Sequence, residues 1–229
     1  MHRYITAGLA VLACTGAATA SAQDATWDWK GTVAAGKSIE IKGVNGDVRA
    51  TAGSGSEVVV TAVKKGRKSD PASVKIEVVN SGAGVTICAV YPSSGKRANR
   101  CGAGEDGQMS TNDNDVSVSF SVQVPAGVKF VGRTVNGSVS TERLGSDADV
   151  STVNGDVRVV AAGVVRASTV NGSVDVSMGK ADWTGAVELS TVNGSIRASL
   201  PANFSAVVNG KTVNGSIESE FPLTVQGKF

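Results

Sequence analysis

The sequence predicts an all-β protein in which most of the chain forms a β-solenoid, and two observations support this fold class. The motif Thr-Val-Asn-Gly-[Ser/Asp]-[Val/Ile] recurs with successive starts 17 to 22 residues apart. The positions around each copy alternate between apolar and polar residues, as in strands that bury one face. Recurrence at such a period is typical of repeat architectures. The sequence therefore predicts coils of 17 to 22 residues, preceded by an N-terminal part with longer strands.

The first 22 residues have the pattern of a secretory signal peptide. Arg3 precedes an apolar run, and Ala20-Ser21-Ala22 provides a cleavage site. The apolar run is too short for a spanning helix, and no later segment is long and apolar enough, so no transmembrane helix is predicted. We expect export to the periplasm or cell envelope of a bacterium. The alternative is a lipoprotein anchored through Cys14, although Leu12 fits a lipoprotein cleavage site poorly.

The composition predicts a thin core built from small side chains. The 229 residues are 41% apolar but only 4% aromatic, and 28 of them are glycines. The length suits one large domain or two small ones. We expect residues 23–125 to form an N-terminal β region and residues 126–229 to form the repeats, together as one continuous β domain. The formal net charge of +2, or +1 without Arg3, gives no electrostatic case for nucleic-acid binding.

Two cysteines, Cys88 and Cys101, remain once the signal peptide is removed. In an exported chain such a pair predicts a disulfide, which on chain-entropy grounds stabilises the fold by about 3 kcal/mol. The only histidine, His2, lies in the signal peptide, so no metal site of cysteine and histidine is expected. The acids of the polar segment 93–115 match no calcium-loop spacing; they are Glu105, Asp106, Asp113 and Asp115. No cofactor is predicted.

The N-terminal part contains β-branched runs that predict longer strands. These runs cover residues 57–63, 74–79, 84–90 and 116–124. Trp27 and Trp29 lie on one face of a strand by two-residue alternation, and we expect them to cover the open end of a narrow core. An aromatic platform for a ligand is the alternative. The basic segment Lys64–Lys68 is predicted as a solvated turn, with contact to anionic glycans or lipid headgroups as its alternative.

Two folds are compatible with the repeats. Asn-Gly between alternating strands favours hairpins, whereas a solenoid stacks equivalent residues about 4.8 Å apart. Charged columns favour the solenoid, because their signs alternate from copy to copy and neighbouring opposite charges stabilise a sheet. These columns are Asp149, Arg166 and Glu188 before the motif, and Arg158, Asp175, Arg197 and Glu218 after it. Hairpin pairing would instead place Asp149 opposite Val160.

Stacking of the coils also predicts ladders of identical side chains. Amides stacked in this way bond from rung to rung in in-register strands. The predicted ladders are Asn136, Asn154, Asn171, Asn193 and Asn214, and Thr134, Thr152, Thr169, Thr191 and Thr212. The Asn, Ser and Asp positions of the motif could be mistaken for a binding or catalytic row, but we interpret them as structural because every copy carries them. Asp47 and Asp156 are interpreted as tolerated exposed positions.

Three features together resemble the bacterial putative-adhesin family of β-strand repeat proteins. They are the segment Ser38–Val48, which ends in an outlying copy of the motif, the strand end Val124–Gly127, and the Asn-Gly repeats. The resemblance covers essentially the whole chain after residue 22. It implies an exported envelope protein with a right-handed β-helix-like fold and no established enzymatic activity. Relatives usually continue beyond a segment such as Phe221–Val225, so we expect an open edge on the last coil that favours edge-to-edge self-association.

The function predicted from these features is that of a non-catalytic envelope protein, a rigid β-scaffold for structural, adhesin-like, or protein and polymer interactions. The partner, an envelope protein or polymer, is not named by the sequence. A polysaccharide-acting β-helix enzyme is one alternative, although such work needs paired carboxylates and the acids here are scattered singly. An outer-membrane-associated barrel is another, disfavoured by short strands with charged outer columns. Trp183, in the longest repeat, is the candidate interaction residue, with packing on the rod as its alternative.

Overall fold

The computed structural model describes residues 25–93, 98–111, 113–180, 186–203, 207, 209 and 218–221, and the fold of these residues is all-β. A 3₁₀ turn spans Pro71–Ser73. The predicted signal peptide, with Cys14, lies outside the described residues. The strands in chain order are β1 (Ala25–Thr32), β2 (Ser38–Lys42), β3 (Val48–Ala52), β4 (Glu57–Lys65), β5 (Lys75–Ser81), β6 (Gly84–Val90), β7 (Ser117–Val124), β8 (Lys129–Arg133), β9 (Val139–Leu144), β10 (Ala148–Ser151), β11 (Val157–Ala161), β12 (Val165–Ser168), β13 (Val174–Met178), β14 (Glu188–Ser190) and β15 (Ile196–Ser199).

The described strands form two sheets. One sheet has eight strands in the order β1-β4-β7-β3-β9-β11-β13-β15, and the other has seven in the order β14-β12-β10-β8-β2-β6-β5. From β8 onward, successive strands alternate between the two sheets, and each pairs in parallel with the strand one coil earlier. The result is a parallel-rich, solenoid-like arrangement, in agreement with the predicted fold class.

The register of the parallel pairs places equivalent residues of successive coils side by side. In β11 and β13, Val157 pairs with Val174 and Arg158 with Asp175. In β10 and β12, Asp149 pairs with Arg166. The hairpin alternative is wrong, because Asp149 belongs to the seven-stranded sheet and Val160 to the eight-stranded one.

Antiparallel strands extend the N-terminal end of the stack. β4 pairs antiparallel with both β1 and β7, and β5 pairs antiparallel with β6. β1 and β5 are therefore the outermost described strands at this end. Trp27 and Trp29 lie on the same face of β1, half-buried and packed against the core. A side chain at Gly31 would collide with the Trp29 ring, so the indole folds over its own strand. This packing supports the structural interpretation of the two tryptophans.

The longer strands lie where the sequence predicts them, with one informative difference. β4 continues to Lys65, because Lys64 and Lys65 keep pairing with Val118 and Ser117 of β7. The Lys64 ammonium donates a hydrogen bond to the carbonyl oxygen of Val74 at 3.0 Å. The prediction of a turn from residue 64 is thus wrong for these two lysines, because the pairing of β4 with β7 continues beyond the apolar residues of β4.

The core is thin and consists mainly of valine, isoleucine and alanine, as the composition predicts. Tyr91, Phe120 and Phe130 are the largest of its fully buried side chains. The motif supplies Val139, Val157 and Val174, each at most 1% exposed; burial of one such side chain stabilises a fold by roughly 1.5 kcal/mol or more. One cluster of buried residues runs from Val33 to Met178, so the N-terminal part and the repeats share a core.

Glycine is required at the coil corners because successive coils approach closely there. Gly137 and Gly155 both have φ of 156°, a value that residues with side chains rarely adopt. A Cβ on Gly155 would overlap the carbonyl oxygen of Gly137, and a Cβ on Gly137 would overlap that of Gly46. Any larger residue would force the coils apart at this point.

Candidate functional site

The asparagines of the motif form a hydrogen-bonded ladder along one corner of the coils. Each side-chain Nδ2 donates to the Oδ1 of the equivalent asparagine one coil earlier, at 2.8 to 2.9 Å. The described rungs are Asn45, Asn136, Asn154, Asn171 and Asn193. Asn214 lies outside the described residues. Asn45 joins the ladder because the outlying copy of the motif occupies the first coil. How much the ladder stabilises the fold stays a prediction.

The threonines of the motif bond to the backbone instead of to one another. Their hydroxyls donate to the glycine carbonyl oxygens of the previous coil at 2.8 to 3.0 Å; the pairs are Thr134 with Gly46, Thr152 with Gly137, Thr169 with Gly155 and Thr191 with Gly172. The first three of these threonines are buried. The described threonines therefore stack from coil to coil as predicted, and the glycine carbonyl oxygens are the acceptors of their hydroxyl groups.

The two aspartates of the motif bond to the next coil of the stack. Asp47 Oδ1 accepts the backbone N–H of Ser138, and Asp156 Oδ1 accepts that of Ser173, each at 2.8 Å. Ser173 itself stands in the same column of the motif and bonds to Ser195 through the hydroxyl groups at 3.2 Å. Both side chains are exposed, as predicted, and the hydrogen bonds add a role that the sequence did not indicate. Their carboxylates satisfy backbone donors of the next coil.

The valines of the motif form an exposed apolar row beside the ladder, here called the valine ridge. Val135, Val153 and Val170 are each 38% exposed, and Val192 is 72% exposed. The ridge repeats with the coils, so its members are spaced by the distance between neighbouring strands, about 4.8 Å. Val44, the equivalent residue of the first coil, is buried. The valine ridge is the most regular apolar feature on the described surface.

A loop anchored by a disulfide, residues 98–111, covers part of the outer face of the seven-stranded sheet. Cys88 in β6 is bonded to Cys101, with their Cα atoms 5.6 Å apart. The loop wraps the ammonium group of Lys42 with backbone carbonyl oxygens at 2.5 to 3.1 Å; these belong to Gly102, Gly104 and Asp106. Three carbonyl acceptors satisfy the three N–H donors of an ammonium group. The disulfide predicted from the sequence is thus present, and it anchors the loop that covers a charged cluster.

The charged cluster under this loop is centred on Glu40, which is only 5% exposed. One carboxylate oxygen accepts the hydroxyl of Thr86 and the backbone N–H of Gly104, both at 2.9 Å. The other lies 3.7 Å from Lys42 Nζ and 3.5 Å from Arg133 Nε. A buried carboxylate is tolerated when cations and hydrogen bonds surround it. The only sequence signal was the alternation Ile39-Glu40-Ile41, which places Glu40 on the outward face that the loop then covers.

Two shallow clefts lie on this same face. The first, of about 240 Å³, opens between the loop and the coil corner; it is lined chiefly by Lys42, Gln108, Met109, Arg133 and Val135. The second, of about 220 Å³, lies on the uncovered strands and contains Asp149, Arg166 and Glu188. The first cleft joins the N-terminal end of the valine ridge, since Val135 belongs to both.

The charged columns that favoured the solenoid are adjacent in register without forming close ion pairs. Among the described residues, no N–O distance within 4.0 Å joins Arg158 to Asp175 or Arg166 to Glu188. Ion pairs elsewhere on these faces include Arg49 with Glu142, Lys129 with Asp147 at 3.5 Å and Arg133 with Asp149 at 3.7 Å. Residues of opposite charge are thus neighbours in the stacked strands. Exposed charges of this kind contribute little to the stability of the fold.

Tyr91 and Asp115 fix the two ends of the long polar segment. The Tyr91 hydroxyl donates to the carbonyl oxygen of Val116 at 2.7 Å, and burial raises the pKa of Tyr91 to about 12. Asp115 accepts the backbone N–H groups of Ser69 and Lys68 at 2.9 Å, and these bonds lower its pKa, that from Ser69 most. Asp115 therefore ties the segment to the turn after β4. Within the described ranges, no three His, Cys, Asp or Glu side chains come close enough to hold a metal ion.

Two further points concern residues named from the sequence. Trp183 lies outside the described residues, so its role stays a prediction. In the part of the chain that the structure describes, no helix is long and apolar enough to cross a membrane.

No family model matches the sequence, and no curated protein matches it. Solved structures give distant matches to bacterial proteins named for adhesion. A "putative cell adhesion protein" from Clostridium sporogenes has a TM-score of 0.39 and 9% identity, over 78% of this chain and 100% of that one. A "putative adhesin" from Bacteroides fragilis has a TM-score of 0.26 and 13% identity, over 78% and 98%. One from Parabacteroides distasonis has a TM-score of 0.28 and 14% identity, over 77% and 79%. Likenesses this distant carry no argument about what this chain binds.

Proposed function

We propose that the protein is an exported, non-catalytic scaffold of the bacterial cell envelope whose valine ridge docks an extended partner, a protein or a polymer, in an adhesin-like or structural role. One observation carries the proposal. The second residue of the motif is valine in each described coil, and from the second coil onward its side chain is exposed at the surface.

The other residues of the motif are explained by contacts between coils, and this contrast supports the proposal. The threonine hydroxyl, the asparagine amide and the glycine backbone each bond to a neighbouring coil, as at Thr152, Asn154 and Gly155. The side chain of Val153 points outward and is not part of the buried core. Exposed apolar residues arranged in a continuous row are typical of interaction surfaces.

The compartment and the handedness of the coils belong to the same proposal. The disulfide between Cys88 and Cys101 supports an oxidising compartment, because such bonds persist outside the cytosol. For the winding we infer a right-handed sense. It is the sense taken by nearly all connections that leave a strand and return to pair in parallel in the same sheet, as from β8 to β10.

Site-specific photo-crosslinking in intact cells of the source bacterium tests the proposal. A photoreactive residue replaces Val153 or Val170 on the ridge, and Arg158, exposed on the outer face of the eight-stranded sheet, is the matched control position. We expect a discrete adduct of one size from both ridge positions and none from the control. Equal labelling at all three positions, or no adduct from the ridge in cells that produce the folded protein, would contradict it.

The non-catalytic part of the proposal has its own test. The purified chain is incubated with isolated envelope glycans, and newly formed reducing ends are counted. We expect none above the level of a heat-denatured sample, because Glu40 is engaged by Thr86, Gly104 and two cations. Release of reducing ends would favour the enzyme alternative.

Trp183 remains part of the proposal as a candidate contact residue in the longest repeat. Replacement by alanine is expected to weaken crosslinking from Val170 if the side chain touches the partner. If the crosslink is unchanged while thermal stability falls, the indole packs on the rod.

A further inference from the structure

Each described copy of the motif places an Asn-Gly step at the same corner of the coils, and this dipeptide is prone to one particular reaction. The backbone nitrogen of the glycine can attack the side-chain carbonyl carbon of the asparagine, and glycine offers the least steric hindrance to that attack. The steps whose two residues are both bonded to neighbouring coils are Asn45-Gly46, Asn136-Gly137, Asn154-Gly155 and Asn171-Gly172. The same reaction could occur at each of them.

We propose that these ladder asparagines are sites of spontaneous deamidation that is blocked in the stacked fold and released when the coils open. The inference is independent of the partner proposed above. It assigns a modification site to each inner rung, and it makes the accumulated modification a record of how often the rod has opened.

The reaction needs only water as co-reactant. The glycine nitrogen loses its proton and forms a bond to Cγ of the asparagine, and ammonia leaves, which gives a five-membered succinimide. Water then adds to one of the two imide carbonyl carbons and opens the ring. Opening at one carbonyl gives aspartate, and opening at the other gives isoaspartate, in which the main chain runs through the former side chain. Nothing is oxidised or reduced.

The nucleophile is held by the next coil. The N–H of Gly155 donates to the carbonyl oxygen of Asn171 at 2.9 Å. The corresponding bonds of the other corners run from Gly46 to Asn136 at 2.8 Å, from Gly137 to Asn154 at 3.0 Å and from Gly172 to Asn193 at 3.0 Å. A donated proton is harder to remove, and the bond also fixes the direction of the nitrogen. Attack requires this bond to break.

The electrophile is held from both sides. The Asn154 amide donates from Nδ2 to Asn136 at 2.9 Å, and its Oδ1 accepts from Asn171 at 2.8 Å. The Asn154 backbone N–H is also bonded, to the carbonyl oxygen of Val135 at 2.7 Å. Rotation of the side chain toward Gly155 would therefore break two ladder bonds at once. Both reacting groups become free only when neighbouring coils separate.

The product does not fit the ladder. Aspartate has no amide donor, so an Asp at position 154 would set a carboxylate oxygen against Oδ1 of Asn136, two acceptors in place of a donor and an acceptor. Isoaspartate adds a carbon to the main chain and displaces the next strand from its register. A modified coil thus re-stacks poorly, and the modification favours further opening.

The experiment uses the purified chain in isotopically heavy-oxygen water, so that each deamidation incorporates one labelled oxygen. Peptide mapping by mass spectrometry then follows Asn136, Asn154 and Asn171 in native buffer and in concentrated urea. We expect conversion to be about 100-fold slower in native buffer, because the reaction waits for a rare open state. Native rates within about threefold of the urea rates would overturn the proposal.

A core variant tests the gating directly. Val159→Ala removes a fully buried side chain away from the ladder, and Arg158→Ala, exposed on the same strand, is the matched control. We expect Val159→Ala to raise native deamidation of the ladder by about tenfold and the control to leave it unchanged. Should Val159→Ala fail to fold, the wild-type chain in urea below its unfolding transition replaces it, with rates expected to rise with urea. Rates that do not respond to destabilisation would overturn the proposal.

Discussion

The side-chain amide of Asn171 donates to the Oδ1 of Asn154 at 2.8 Å, although 17 residues separate the two along the chain. One coil therefore returns the chain to the same position one strand further on. The same relationship joins Asn154 to Asn136 across 18 residues and Asn193 to Asn171 across 22. Since the spacing changes and the bond does not, the corner keeps the register and the remainder of each coil absorbs the extra residues.

We expect Asn171→Asp to destabilise the fold by about 1–2 kcal/mol, because the ladder loses a donor and gains a charge beside the acceptor of Asn154. Equilibrium urea unfolding measures the effect. The control is Ser140→Asp, which adds the same charge between Arg49 and Arg158 on the sheet face and should change stability by less than about 0.5 kcal/mol. If the two variants unfold alike, the ladder is not structural.

Thr152→Val tests the bond between the threonine hydroxyl and the backbone. The two side chains have nearly the same shape, but valine leaves the partly buried carbonyl oxygen of Gly137 without its donor at 2.8 Å. We expect a loss of about 1–3 kcal/mol in the free energy of unfolding. Thr26→Val, at an exposed position of β1, is the control and should be close to neutral. A neutral Thr152→Val would mean that the glycine carbonyl finds another donor.

Glu40→Gln tests the charged cluster under the disulfide loop. The amide can still accept from Thr86 and Gly104, but the negative charge between Lys42 and Arg133 is lost, so we expect destabilisation by about 2–3 kcal/mol. Glu142→Gln removes the acid of a half-exposed pair with Arg49 and should cost less than about 1 kcal/mol. Differential scanning calorimetry of both variants makes the comparison. Equal melting temperatures would contradict the account of the cluster.

The raised pKa of Tyr91 predicts that the folded protein loses stability at alkaline pH. Its pKa is raised from 10.0 to about 12 by burial, so the folded chain holds the proton more tightly than the unfolded chain does. The resulting stabilisation is complete below pH 10 and is lost as the pH rises toward 12. Unfolding curves measured across this window should show less decline for Tyr91→Phe, which has no hydroxyl to titrate. Identical declines would show that Tyr91 ionises normally in the fold.

The repeats could be predicted well because each position of the motif recurs several times in the sequence. The recurring Val or Ile that ends the motif indicated the buried face, and the charge signs of Asp149 and Arg166 indicated that equivalent positions are neighbours. Both inferences depend on local periodicity and strand geometry, so the sequence contains them directly.

Features that depend on contacts distant in sequence could not be predicted. Glu40 has the alternation of an outward residue, and its burial results from a loop about 60 residues later that folds over it. Lys42 bonds to that loop through backbone carbonyls, which leave no trace in side-chain patterns. Asp47 and Asp156 accept hydrogen bonds from backbone N–H groups of the next coil. Ser173 and Ser195, in the same column of the motif, instead bond to each other through their hydroxyl groups.

A pair of engineered cysteines tests the stacking of the coils most directly. Arg158→Cys with Asp175→Cys places two cysteines at paired positions of neighbouring parallel strands. The backbones of such strands are about 4.8 Å apart, within the Cα–Cα range of a disulfide. Asp149→Cys with Val160→Cys is the matched pair that hairpin pairing would bring together. After mild oxidation, mass spectrometry of the digested chain should find the 158–175 crosslink and not the 149–160 crosslink. The reverse result, with 149–160 joined and 158–175 free, would contradict the solenoid-like fold.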